Sequence, residues 1–313
     1  MTHHPVPDPV IAGALAEARR RQQLSERDLT PAVTHFAATV GWVCDAWELS
    51  PRGWFDGGAA MPTLDVVRAD GMPGVLKIAL PGELDDAARV MIAAEGRGYA
   101  RVMAWDDRAG ALVSERLGTD LWTEQTGVVP QGTVVAPLLR DAWAVPLTSG
   151  RPFEGKASGL VSILADLGPR YAAGHEGALR LATTYARALA ATERPEVVCH
   201  GDPHAGNVLR RGSGWALIDP DGFVGERAYD LGVVLRDACR EIAAAEQTQT
   251  GSGVDVLCQG CRHLSTLTGV DEDRVWQWGF VERVTTGLYL AWHGYASEAT
   301  TFLDTASLVA HHC

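Results

Sequence analysis

The stretch from Val197 to Leu231 constrains this chain more than any other, because its polar residues are spaced like a catalytic loop. It reads VVCHGDPHAGNVLRRGSGWALIDPDGFVGERAYDL. The apolar run at its start ends in a Gly-containing turn, so we expect Asp202 to project from a loop. Two further apolar runs flank the Gly-rich residues 210–214, which predicts a β-hairpin. A hairpin returns the chain to its starting point, so Asp219 is expected to lie near Asn207.

This arrangement is the one that phosphoryl transfer to a hydroxyl group uses. The carboxylate of Asp202 would orient the hydroxyl, and the side chains of Asn207 and Asp219 would bind magnesium. An alternative is that these are ordinary loop residues, because Asp and Asn are common in Gly-rich turns. The combined spacing, with an Ile-Asp pair after a predicted hairpin, favours the catalytic interpretation.

The two motifs HGDPHAGNVL and LIDPDGFVGERAYD resemble the aminoglycoside phosphotransferase family of small-molecule kinases. Within that family, they are most similar to the branch that includes streptomycin 6-phosphotransferases and hydroxyurea-type resistance kinases. That branch typically reads HGDLHxGNVL and then AIDPxGxxGxxxYD, and this chain has Pro203 where the family usually has Leu. The resemblance runs with gaps from about Trp47 to His293.

The resemblance implies a two-lobed, protein-kinase-like α+β fold. A helical lead-in would occupy residues 1–48 and a small antiparallel-sheet N-lobe that binds nucleotide would occupy 49–117. A larger, mainly helical C-lobe over residues 118–313 would carry the catalytic loop and the acceptor pocket. The residue pattern agrees, since residues 10–24 have helical periodicity and Thr30 with the following Pro opens a second helix.

Lys77 is the candidate for binding the nucleotide phosphates. It lies inside the apolar strand 74–79, where a cation needs a partner, and the kinase template places a lysine there on the α/β-phosphates. A lysine at a sheet edge is the alternative. A helix is predicted to start at Glu83, and the resemblance makes Glu83 the first choice for the acid that pairs with Lys77. Asp86, one turn later, is the second choice.

Two further stretches are expected to contact the nucleotide. Gly57 and Gly58 would form the tip of a hairpin over the phosphates, since Gly lets the backbone approach closely, although a plain turn is equally compatible. The resemblance also implies that backbone groups from Glu115 to Leu117 meet the nucleotide base.

The remaining candidates support the loop or line the acceptor pocket. His200 is expected to support the loop rather than act as a base. The resemblance implies that Asp230 braces the loop through hydrogen bonds; an ordinary acid near a helix N-terminus is the alternative. A long amphipathic helix is predicted from Asp273 to Gly294, whose aromatic residues could equally be core. The candidates for the acceptor pocket are Asp237, Trp276, Glu282, Trp292 and His293.

Composition and charge narrow the possible partners. The net charge of −12 argues against nucleic acid and is compatible with a small cationic substrate. We expect a cytoplasmic protein, because neither a membrane span nor a secretory signal is visible. Cys258 and Cys261 form a single CxxC in a helical stretch, which favours a structural thiol pair over a metal site.

The sequence therefore predicts an antibiotic O-phosphotransferase. It would transfer the γ-phosphoryl group of ATP or GTP, with Mg²⁺, to a hydroxyl of an aminoglycoside-like antibiotic, streptomycin-type favoured, and so give resistance by inactivation. Alternatives are a kinase of the same fold that acts on another natural product or a biosynthetic intermediate, and a non-catalytic nucleotide-binding regulator. A metal-dependent hydrolase with His200, Asp202, His204 and Asp219 as ligands is a further alternative.

Overall fold

The chain folds into two compact units. The computed structural model describes residues 8–24, 28–55 and 61–310. One unit comprises the chain up to Gly96 together with residues 100–117, and the other comprises residues 97–99 and the chain from Gly118 onward.

The first unit is an antiparallel sheet with helices. Its described elements are α1 (Pro9–Leu24), α2 (Thr30–Ala46), β1 (Ser50–Phe55), β2 (Thr63–Val67), β3 (Pro73–Ile78), α3 (Asp85–Ala94), β4 (Val102–Asp106) and β5 (Ala111–Glu115). The strand order is β1-β2-β3-β5-β4, with every neighbouring pair antiparallel. The predicted start of the second helix at Thr30 is confirmed.

One face of this sheet packs against α1 and α2. Leu76 and Ile78 on β3 point into that core, where Phe36 and Val40 of α2 are also buried. Because side chains alternate along a strand, Lys77 lies on the opposite face, where it is half-buried. The strand pattern thus keeps the ammonium group out of the apolar core.

The second unit is mainly helical and contains two short strand pairs. Its described elements are α4 (Leu121–Glu124), α5 (Val128–Ala142), α6 (Lys156–Tyr171), α7 (Glu176–Ala190), β6 (Val197–Cys199), β7 (Val208–Arg211), β8 (Gly214–Leu217), β9 (Phe223–Gly225), α8 (Arg227–Arg236), α9 (Cys239–Thr248), α10 (Ser252–Thr268), α11 (Glu272–Trp292) and α12 (Ala296–Ala310). None of the helices in the described part of the chain is long and apolar enough to cross a membrane.

The prediction of an amphipathic α11 is wrong. Its central residues are buried on nearly every side, because the helix packs against α6, α7, α8, α10 and α12. The buried set includes the charged residues Glu282 and Arg283. The closest approach is to α8, where a Cβ added at Gly232 would lie 2.7 Å from the backbone nitrogen of Gly279. Only glycine fits this crossing without a shift of the helices.

The predicted β-hairpin is confirmed and brings the two halves of the motif together. β7 and β8 pair from Val208 opposite Leu217, and β6 pairs with β9. The backbone N–H of Ile218 donates to the carbonyl of Asn207 at 3.0 Å, and that of Asp221 donates to the carbonyl of His200 at 2.6 Å. The loop after β6 therefore lies directly beside the loop before β9.

Candidate active site

Asp202 projects from the loop after β6 with both carboxylate oxygens next to a nitrogen donor. Oδ1 lies 2.9 Å from Nη2 of Arg236, at the end of α8, and Oδ2 lies 3.4 Å from Nε2 of His204. Nδ1 of His204 accepts from the N–H of Gly206 at 3.0 Å, which leaves Nε2 as the protonated nitrogen. The His204 ring stacks on Trp122, with centroids 4.7 Å apart.

These contacts keep Asp202 ionised. Burial on its own would raise the pKa of Asp202, but the hydrogen bond from His204 and the charge of Arg236 outweigh it and hold the pKa well below its usual 3.8. The side chain is still 37% exposed, so a substrate can reach it. The carboxylate is thus a charged, partly exposed group that can accept a hydrogen bond from a hydroxyl group.

The side chains of His200 and Asp230 are hydrogen-bonded to the backbone of this loop. The Asp230 carboxylate accepts from the backbone N–H groups of His200 and Gly201, each at 2.9 Å, and from Nε1 of Trp143 at 2.8 Å. His200 is fully buried; its Nδ1 accepts from the N–H of Asp202 at 3.2 Å, and its Nε2 donates to the carbonyl of Ile218 at 2.9 Å.

The burial of both side chains shifts their pKa values in opposite directions. Burial lowers the pKa of His200 to about 4, so its ring is neutral near pH 7. Burial also raises the pKa of Asp230 to about 6, although the three hydrogen bonds oppose that shift. Since both ring nitrogens of His200 are committed to the backbone, the ring offers no lone pair to a metal ion. This argues against the hydrolase alternative.

Gly201 lets the two loops approach. Its φ of +94° lies in the region that favours glycine, and an added Cβ would lie 2.5 Å from Cβ of Asp221. Asp219 also has a positive φ of +58°, which is uncommon for a non-glycine residue and typical of functional sites.

Asn207 and Asp219 fit a magnesium ion. Asn207 ends a single 3-10 turn, and its Nδ2 donates to the carbonyl of Asp202 at 2.9 Å, which leaves the amide oxygen as the free donor atom. Asp219 follows one residue after Ile218, whose backbone is bonded to Asn207. Two oxygen donors suit Mg²⁺, which usually keeps water and phosphate as its other ligands. No group of three or more His, Cys, Asp or Glu residues in the described ranges forms an all-protein metal site.

Further carboxylates face this site from the same unit. Burial raises the pKa of Asp221, and the charges of Asp202 and Glu282 add to that effect while Lys156 opposes it. Glu282 is only 6% exposed, and its Oε1 has no hydrogen-bond partner within the described residues. Nζ of Lys156 lies 5.1 Å from the ring centroid of the buried Tyr229.

The two acids that could pair with Lys77, Glu83 and Asp86, lie in the turn before α3 and in its first turn. The prediction that a helix starts at Glu83 is wrong: α3 begins at Asp85, and Glu83 is exposed in the turn before it, where Oε2 accepts from the N–H of Leu80 at 3.1 Å. Gly82, with a φ of +94°, makes this turn and delays the helix. Asp86 lies in the first turn of α3 and pairs with Arg89.

Glu115 and Leu117, the other described nucleotide candidates, lie at the end of β5. Glu115 is the last residue of that strand, and its Oε1 accepts from the N–H of Arg101 at 2.7 Å, while Leu117 is half-buried just beyond. Gly57 and Gly58 lie outside the described residues.

The acceptor-pocket candidates on α11 do not form one cluster. Trp276 lines a cavity of about 350 Å³ with residues of α7 and α10, and none of its lining residues belongs to the segment 197–231. Trp292 is 49% exposed and its ring lies 4.6 Å from that of His293 at the end of the helix. Asp237 instead lies beside the catalytic loop, paired with Arg236.

Sequence reasoning missed Arg236 and Trp122 as parts of this site. It named His204 only as a metal ligand of the hydrolase alternative, whereas the structure places its ring against the carboxylate of Asp202. Arg236 could not, because its contact with Asp202 depends on how α8 packs against the loop. Nothing in the local sequence marks Trp122, which reaches the loop from α4.

Comparisons with known proteins agree with this geometry. The model of the aminoglycoside/hydroxyurea antibiotic resistance kinase family matches residues 46–294. The hydroxyurea phosphotransferase of Kitasatospora aureofaciens is 31% identical over 243 residues, which cover 74% of this chain and 70% of that protein. The streptomycin 6-kinase of Streptomyces glaucescens is 29% identical over 266 residues, which cover 80% and 82%.

Solved structures show the same fold at low identity. One is a thermostable mutant of the aminoglycoside phosphotransferase APH(4)-Ia in a ternary complex with AMP-PNP and hygromycin B. It aligns with a TM-score of 0.58 at 14% identity and covers 87% of this chain and 97% of its own. Together with the antiparallel sheet of the first unit, this likeness confirms the predicted kinase-like α+β fold.

Proposed function

Because the chain belongs to the aminoglycoside/hydroxyurea antibiotic resistance kinase family and is a phosphotransferase, we propose that it transfers the γ-phosphoryl group of ATP or GTP to a hydroxyl of a cationic aminoglycoside, with streptomycin-type acceptors favoured. Phosphorylation would inactivate the antibiotic and so give resistance. The observation that carries the proposal is the ionised, partly exposed carboxylate of Asp202, in one loop assembly with Asn207 and Asp219.

Asp202 orients the attacking hydroxyl and accepts its proton. As the acceptor oxygen bonds to the γ-phosphorus, the bond from that phosphorus to the β–γ bridging oxygen breaks, and the nucleoside diphosphate leaves. The hydroxyl proton passes to Asp202 late in this step, since the low pKa of the carboxylate makes it a weak base. Orientation, rather than base strength, is therefore its main contribution.

Asn207 and Asp219 would hold the magnesium ion through the amide oxygen and the carboxylate. When bound, the ion neutralises charge on the nucleotide phosphates. His200 and Asp230 keep the loop in place for this purpose. Lys77 would contact the α/β-phosphates, with its acidic partner left open between Glu83 and Asp86.

A cationic acceptor is supported by the charges around Asp202. Glu282 faces the cation Arg236, but its Oε1 has no hydrogen-bond partner among the described residues. A buried carboxylate oxygen without a donor is unfavourable. Asp221 adds a second carboxylate near Asp202. The amino and guanidino groups of an aminoglycoside would supply the missing donor and further positive charge.

Mass spectrometry tests the function and the acceptor together. The purified protein is incubated with magnesium and ATP or GTP, and with streptomycin, hygromycin B or neutral hydroxyurea in parallel. A gain of one phosphate on streptomycin is the expected result. A gain on hydroxyurea alone would contradict the cationic acceptor, and no product with any compound would contradict the antibiotic-kinase proposal.

A matched pair of variants tests the acceptor charge. Glu282→Gln should raise KM for streptomycin about 10-fold or more, because the carboxylate loses its charge, and should leave KM for ATP within about twofold. Glu298→Gln, at an exposed position on α12, is the control and should change neither value. Equal KM values in the wild type and Glu282→Gln would contradict the assignment of Glu282.

A further inference from the structure

We propose that Arg236 is a positioning residue for phosphoryl transfer: its guanidinium fixes one oxygen of Asp202, and Asp237 holds that guanidinium in place. This inference rests on the proposed function, since it assigns the group that orients the carboxylate of Asp202 for phosphoryl transfer. Neither Arg236 nor its pairing with Asp202 follows from the motifs of the sequence.

The guanidinium of Arg236 is shared between two carboxylates. Nη2 lies 2.9 Å from Oδ1 of Asp202, while Nε donates to Oδ1 of Asp237 at 2.9 Å and Nη2 donates to Oδ2 of Asp237 at 3.2 Å. The Arg236 side chain is only 13% exposed. A planar guanidinium held by a bidentate pair on one side has a fixed orientation, so it fixes the carboxylate on its other side.

The end of α8 that carries Arg236 is itself anchored to α11. Nη2 of the buried Arg283 donates to the carbonyl of Leu235 at 2.5 Å, and α8 and α11 cross at Gly232 and Gly279. The backbone at Arg236 therefore has little freedom. A rigid support of this kind is what a positioning residue requires, because small displacements of a reacting group are costly.

The two oxygens of Asp202 are held unequally. The contact of Oδ1 with Arg236 is short, whereas the contact of Oδ2 with His204 is 3.4 Å. An acceptor hydroxyl would therefore approach Oδ2 and loosen only the His204 contact. Arg236 keeps the carboxylate oriented throughout.

Several charged or titratable groups surround this pair and enter any pH dependence. His200 and His204 lie on the loop of Asp202 itself, and Asp221 faces it from the loop before β9. Glu282 approaches Arg236 from α11, and the charges of Asp237, Asp202 and Glu282 raise the pKa of the guanidinium even though burial opposes them. Arg236 is thus charged throughout the accessible pH range.

Removal of the positive charge tests the proposal. We compare the wild type with Arg236→Gln and Arg236→Lys. The control is Arg227→Gln, at an exposed position on the same helix. The readouts are kcat and KM for transfer to streptomycin and for hydrolysis of magnesium-ATP, with the circular dichroism spectrum as a check of folding.

We expect kcat of Arg236→Gln to fall about 10- to 100-fold with KM for ATP within about twofold, because the carboxylate is displaced rather than the nucleotide site. Arg236→Lys should restore part of kcat, because it returns the positive charge beside Asp202 without the planar fork, and Arg227→Gln should match the wild type.

A second variant separates orientation from charge. Asp237→Asn leaves Arg236 charged but loosens it, so kcat should fall while KM for ATP stays within about twofold. Wild-type kcat in Arg236→Gln, or a loss of kcat that Arg236→Lys does not rescue at all, would overturn the proposal.

The two proposals fail in different ways. If the wild type hydrolyses magnesium-ATP but phosphorylates no antibiotic, the acceptor assignment fails, and the hydrolysis profiles still test Arg236. If the wild type transfers phosphate to streptomycin while Arg236→Gln behaves like the control, only the Arg236 proposal fails.

Discussion

At the scale of single residues, the main feature of the site is a carboxylate, Asp202, whose orientation is set by charged and hydrogen-bonding neighbours. Asp202 is exposed enough to meet a hydroxyl group, yet it contacts a guanidinium and an imidazole N–H at the same time. Charge-assisted contacts of this kind are stronger than neutral hydrogen bonds, so the carboxylate is already oriented before a substrate binds. Asp219 has a positive φ, and the residue before it is hydrogen-bonded through its backbone to Asn207.

Removal of the charge of Asp219 should change the response to magnesium. Asp219→Asn should raise the magnesium concentration needed for half-maximal activity about 10-fold or more, because a neutral amide is a poorer ligand for a hard cation. The measurement is a magnesium titration of phosphoryl transfer at saturating ATP. Asp166→Asn, at an exposed position on α6, is the control. An unchanged magnesium dependence would remove Asp219 from the metal site.

Lys77 permits a direct test, because the chain contains just two lysines, Lys77 and Lys156. Magnesium-ATP should reduce acylation of Lys77 at least about threefold, since an ammonium group bound to phosphate is a poor nucleophile. Lys156 serves as the internal control and should react at the same rate with and without nucleotide. Peptide mass spectrometry measures both sites, and equal labelling of Lys77 in both conditions would contradict its role.

At the scale of elements, the catalytic loop depends on two buried ionisable groups that respond oppositely to acid. His200 has its pKa lowered from 6.5 to about 4, so its stabilising effect is full above pH 6.5 and is lost as the pH falls towards 4. Asp230 has its pKa raised from 3.8 to about 6, so its ionisation destabilises the fold above pH 6 and is relieved on acidification. In the wild type these two effects partly cancel.

Single substitutions should separate the two effects. Between pH 7.5 and pH 5, His200 alone lowers the free energy of unfolding by about 2 kcal/mol, and Asp230 alone raises it by about 1 kcal/mol. Relative to the wild type, His200→Gln should therefore gain stability on acidification, and Asp230→Asn should lose it more steeply.

Urea unfolding at the two pH values measures these slopes, and the baseline loss of stability in each variant cancels in the comparison. The expected sign is opposite for the two variants. If both variants kept the pH slope of the wild type, the buried pair would not control the stability of the loop.

How accurately the sequence predicts position and burial differs from one element to the next. Asp202, Asn207 and Asp219 lie within one short segment joined by a hairpin, so their proximity follows from local pairing alone. The start of α3 was misplaced because a turn at Gly82, with a positive φ, ends before the helix begins. The burial of α11 could not be read from periodicity, because five surrounding helices, rather than its own sequence, cover it.

At the scale of the whole molecule, the net charge and the family membership both support the proposed phosphoryl transfer to a cationic acceptor. The chain carries a net charge of −12, which attracts cations to its surface, and carboxylates also gather near Asp202. The sequence motifs predicted the fold and the reaction class because these depend on short, specific segments. The candidates for the acceptor pocket lie on α11 and at the end of α8, outside these motifs, and the motifs do not show which of them come together.

Comparison of the wild type with Asp202→Asn, by the rate at which phosphate appears on streptomycin at saturating magnesium-ATP, tests the central claim most directly. The account predicts a fall of about 100-fold or more in kcat for Asp202→Asn, with KM for ATP within about twofold and the Asp166→Asn control unchanged. Wild-type turnover in Asp202→Asn would contradict the account, because the carboxylate that orients the hydroxyl would then have no part in the reaction.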